Sequence, residues 1–95
     1  MNDRIRNDIL AVLRRLAEIL EVKEEKDTLE IKELSNRVIH DASIFQDDDS
    51  VSVAVLVYAL SKIIERAGND FDYSAVYSSL KKSINSWIEK FLSML

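Results

Sequence analysis

One imidazole and four carboxylates crowd into His40-Asp41-Ala42-Ser43-Ile44-Phe45-Gln46-Asp47-Asp48-Asp49-Ser50. Oxygen donors at this density can hold a hard divalent cation, and an imidazole near a carboxylate can pass protons. His40, Asp47 and Asp49 are the candidate metal-ligating or acid–base residues. A metal-dependent hydrolase or nucleotide-handling enzyme is the activity they would serve. The spacing fits a simpler role. In Asp47-x-Asp49-x-Val51 an apolar residue stands where an EF-hand loop needs a ligand, and no glycine follows. Aspartates just before a helix accept from its free N–H groups and meet the positive end of its dipole. Capping is therefore the expected role, and no metal or other cofactor is expected.

Other constellations fail on similar grounds. Asp70-Phe71-Asp72-Tyr73-Ser74 alternates oxygen donors, but Ala75 stands where the calcium loop needs glycine and Lys81 where it needs glutamate. Phe71 reads instead as a plug for one end of the fold. Di-metal sites inside bundles use Glu-x-x-His pairs, and the only histidine, His40, is preceded at that spacing by Arg37. Asp41 is adjacent to His40 in sequence, and neighbours at i,i+1 do not face each other on a helix, so no catalytic triad is expected. Arg4, Arg6, Arg14, Arg15, Lys81 and Lys82 are interleaved with acids rather than gathered into a stripe. With a net charge of −4, the chain offers little phosphate-neutralising power, and nucleic acid is not an expected partner.

The elements behind these residues follow from composition and period. At 95 residues the chain is read as one domain, 1–95. A hydrophobic fraction of 47% can close a core, and a charged fraction of 32% can cover it. One glycine and no proline leave too few turn residues for a sheet protein. The absence of cysteine rules out disulfides and thiolate zinc sites and is compatible with a cytoplasmic location. The most apolar run, Val51 to Leu60, is shorter than the roughly 20 residues a membrane span needs, so no membrane association is expected.

Helical periodicity predicts four helices, at about 3–26, 28–43, 50–67 and 72–94, in an up-down antiparallel four-helix bundle. Ile5, Ile9, Val12, Leu16 and Ile19 form one stripe of the first helix, and Leu10, Leu13, Ala17 and Leu20 a second beside it. Asp27 and Glu30 read as a capping box for the second helix. Ile31, Leu34, Val38 and Ala42 line its inner face, with Ile39 at the margin and Glu33/Arg37 and Arg37/Asp41 as outer i,i+4 pairs. In the third helix Val53, Leu56, Val57, Leu60, Ile63, Ile64 and Ala67 make the main face, and Gly68 ends it. Tyr73, Tyr77, Leu80, Ile84, Trp87, Phe91 and Leu95 share one stripe of the fourth, which Asp70 or Asp72 caps.

Two apolar patches exceed what one stripe per helix can bury. One is Leu10, Leu13, Ala17 and Leu20, and the other is Val51, Val55 and Tyr58 on the far side of the third helix. Each buried Leu- or Val-sized side chain contributes about 1.5–3 kcal/mol, so such surface should be covered. The expectation is a non-enzymatic helical interaction or oligomerisation module. Its partner would be a second copy, as a homodimer, or another helical protein, with these seven residues as candidate contacts.

Overall fold

Where each helix begins and stops is decided by a few polar residues. The computed structural model describes residues 3–22, 26–68 and 70–94, with the backbone but not the side chain of Phe71. It contains α1 (Asp3–Glu21), α2 (Thr28–Phe45), α3 (Asp48–Ala67), a 3₁₀ turn (Phe71–Tyr73) and α4 (Ser74–Ser93). No strand occurs among the described residues. Asp27 caps α2 as expected, its carboxylate accepting from the N–H groups of Leu29 and Glu30 at 3.0 and 3.1 Å. The reciprocal arm of the box is missing, because Glu30 is drawn to Arg15 on α1 at 2.5 Å. Gln46 closes α2 in the left-handed conformation (φ 53°), donating its N–H to the Ala42 carbonyl at 2.8 Å. Asp47 then caps α3 by accepting from the Ser50 N–H at 3.1 Å. Gly68, with φ 56° and ψ −121°, ends α3 in a conformation that a side chain resists.

Two boundaries differ from expectation. α1 stops at Glu21 rather than near residue 26. Its last turn carries no base to offset the negative end of its dipole. Lys26, which the periodicity assigned to that helix, is non-helical and buried, with its ammonium 4.8 Å from the centre of the Tyr77 ring. At the other junction, Asp70 accepts from the Asp72 N–H at 3.0 Å and so caps the 3₁₀ turn instead of α4, which starts at Ser74 without a side-chain cap. The expected plug Phe71, by its side chain, and Leu95 lie outside the described residues.

Polar contacts between helices fix the topology. Arg6 near the start of α1 donates to the Met94 carbonyl at 2.9 Å, and Glu21 at its end pairs with Lys81 of α4. Asp8 and Arg15 of α1 pair with Arg37 and Glu30 of α2, in reversed order along the two helices. Asp49 at the start of α3 meets Lys90 late in α4 at 2.8 Å. Every one of these pairings is antiparallel, so the chain is an up-down four-helix bundle. Its closest pairings are α2 with α3 and α1 with α4, and α1 also packs on α2.

That last arrangement explains the wide apolar arc of α1. Lying between α2 and α4, it needs two facets, and Ile9, Leu10, Val12, Leu13, Leu16 and Ile19 are all buried. Val53, Val57, Leu60 and Ile64 of α3, Val38 of α2 and Ile84 and Phe91 of α4 are each 0% exposed and complete the core. Trp87 lies 5.9 Å from Phe91, ring centre to ring centre, on the stripe that the fourth helix was expected to bury.

Candidate interaction face

The acidic cluster at 40–50 does not converge. His40 is exposed on α2. Asp47 is committed to capping, and although burial works to raise its pKa, hydrogen bonds from Ser50 outweigh this and hold the carboxyl below its ordinary range. Asp49 bonds to Lys90. Among the described residues, no group of three or more histidines and carboxylates is arranged to hold a metal ion.

A different carboxylate pair forms where the sequence signal was weaker. Asp41 is not on an outer face but buried against α1, beside Asp8. Burial, then the hydrogen bond with Asp8 and the charge of Asp8, push the Asp41 carboxyl up to about 6. Asp8 is held below its ordinary value, first by the hydrogen bond from Asp41 and, against burial, by Arg37. The two carboxyls are thus shifted in opposite directions, as neighbouring carboxyls that disfavour a second charge are. Arg37, expected to pair along α2, reaches across to Asp8 instead. A signal was available: Asp8 stands three residues after Ile5 and four before Val12, and Asp41 three after Val38, each in step with an apolar stripe.

The two apolar patches separate cleanly. Leu10 and Leu13 are 4% and 0% exposed, and Ala17 and Leu20 are packed at the edge of the core, so α1 is covered by its own chain. Val51, Val55 and Tyr58 are 44%, 63% and 51% exposed. Together with Ile39, Ala42, Ser43, Gln46 and Ala54 they line an open groove of about 430 Å³ between α2 and α3, whose surface is almost entirely carbon. Past Tyr58 the groove continues between the same helices but turns polar, lined by Lys32, Asn36, Ser61, Lys62 and Glu65 among others. The Lys62 ammonium lies 5.5 Å from the centre of the Tyr58 ring, at the junction of the two halves.

The exposed side of α3 has an ordered charge pattern. Taking Val55 as the centre of that side, Val51, Ser52, Tyr58 and Ala59 fall within about 60° of it on the helical wheel. Asp48 lies on the same side one end along, and Lys62 and Arg66 lie on it at the other. All eight residues are exposed. The face is therefore acidic, then apolar, then basic along its length.

Comparison with protein-family models, curated proteins and solved structures finds no match to this chain. No helix among the described residues is long and apolar enough to cross a membrane.

Proposed function

We propose that this domain is a non-enzymatic helical interaction module that self-associates through the open α2–α3 face. It would act in the cytoplasm, with which a cysteine-free chain is compatible. The observation that carries the reading is the Val51, Val55 and Tyr58 strip. It stays in water although the second apolar facet of α1 is covered, and it borders a groove of carbon surface rather than standing as scattered side chains. Helical partners recognise such grooves by apolar anchors at i, i+4 and i+7, which is the spacing of these three residues.

Sedimentation velocity across a concentration series, from about 1 µM to about 1 mM, tests this. The expected outcome is growth from the 10.9 kDa chain to a species of twice that mass. Val55→Lys should leave helicity unchanged and hold the protein at the smaller mass. A single 10.9 kDa species throughout the series overturns the proposal.

A further inference from the structure

We infer that two copies of this chain meet through α3 against α3, antiparallel, about a two-fold axis beside Val55. This rests on the self-association reading above and specifies its geometry.

The charge order along α3 selects the orientation. Asp48 stands seven residues before Val55 and Lys62 seven after it, both exposed and on the Val55 side of the helix. At 1.5 Å per residue they bracket a strip about 21 Å long. A parallel pairing would set acid beside acid and base beside base. An antiparallel pairing centred on Val55 sets Asp48 of each copy opposite Lys62 of the other, twice, by symmetry. The same operation pairs the remaining residues sensibly. Val51 and Tyr58 lie on one flank of the strip and almost equidistant from Val55, so each Val51 comes against Tyr58 of the second copy. Ser52 and Ala59 do the same on the other flank, where two small side chains let the helices approach closely. Ile39 of α2 borders the Val51/Tyr58 flank. The symmetry therefore brings both copies of Ile39 to the same flank of the helix pair, closing the apolar half of each groove. The N-terminal end of each α3, carrying Asp48, then lies along the polar half of the other groove, near Lys62 and Lys32.

Cross-linking and charge exchange test the register. The chain has no cysteine, so a single one can be placed at will. Val55→Cys should give a covalent dimer on mild oxidation, because facing residues on the axis come within disulfide reach. Ile44→Cys, 57% exposed but off the strip, should not. Asp48→Lys and Lys62→Asp should each weaken dimerisation on the order of tenfold, and the double variant should recover most of that loss. Thermal melts of each variant separate a lost interface from a lost fold. Should the wild type dimerise while Val55→Cys stays uncross-linked and the double variant recovers nothing, the register is overturned and self-association stands. Should the wild type stay at a single mass at every concentration, self-association itself fails.

Discussion

At the scale of single residues, Asp41 ties the stability of the bundle to acidity. Its pKa is raised from 3.8 to about 6 by burial and by Asp8. A carboxyl shifted upward favours the folded state fully below its unfolded value, and that contribution is lost as pH rises through the folded value. Asp8, shifted down, acts in the opposite sense, and its contribution is present above the ordinary value and lost as pH falls through the folded one. Between about pH 4 and about pH 6 the Asp41 proton is therefore given up at a cost. Asp41→Asn keeps a donor for Asp8 and removes the second charge. It should stabilise the protein above pH 6 by about 1–2 kcal/mol, raise Tm by on the order of 5–10 °C, and flatten the fall in stability across that interval. Circular-dichroism melts at a series of pH values read this directly, and an unchanged profile would mean that the two carboxyls do not disfavour each other's charge.

At the scale of elements, the junctions carry the specificity. Asp47→Ala removes the acceptor for the Ser50 N–H and should cost about 1 kcal/mol, whereas Asp48→Ala, which accepts no capping bond, should cost about half that or less. Equilibrium urea unfolding of the two variants distinguishes them. Gly68→Ala forces a side chain into φ 56°, ψ −121°, and although nothing crowds that position, the backbone conformation alone should cost about 1–2 kcal/mol. These junctions were largely legible in the residues. Asp27, Asp47 and Gly68 have the chemistry a cap requires, and the 3.6-residue period locates the four described α-helices. Less legible was the partnering between helices. A wheel gives the width of an apolar arc but not the number of neighbours that fill it. From the sequence the broad arc of α1 therefore reads as partly exposed, while two neighbours cover it. Asp41 reads as an outer residue because its i−4 neighbour Arg37 offers a local ion pair. Only the rotation of α2 against α1 decides that Arg37 turns to Asp8 and Asp41 turns inward.

For the whole molecule, the contrast between covered and open apolar surface can be measured. Leu13→Ala opens a cavity at a position with no exposure and should cost about 2–5 kcal/mol. Val55→Ala, at 63% exposure, should change the stability of the dilute chain by less than about 0.5 kcal/mol. Thermal melts at low protein concentration compare them, and equal losses would place Val55 in the core and remove the open face. The same two substitutions should exchange rank when the readout is association instead of folding.

The pairing of the first helix with the last has a consequence for how the chain is born. α2 and α3 are neighbours in sequence and can pair as soon as both are made. Arg6 and Met94, by contrast, are 88 positions apart. During synthesis the facet of α1 that α4 covers waits until Tyr77, Ile84 and Phe91 have left the ribosome. Until then that facet remains sticky. A nascent chain stalled before α4 should be held by chaperones, and completing that helix should release it.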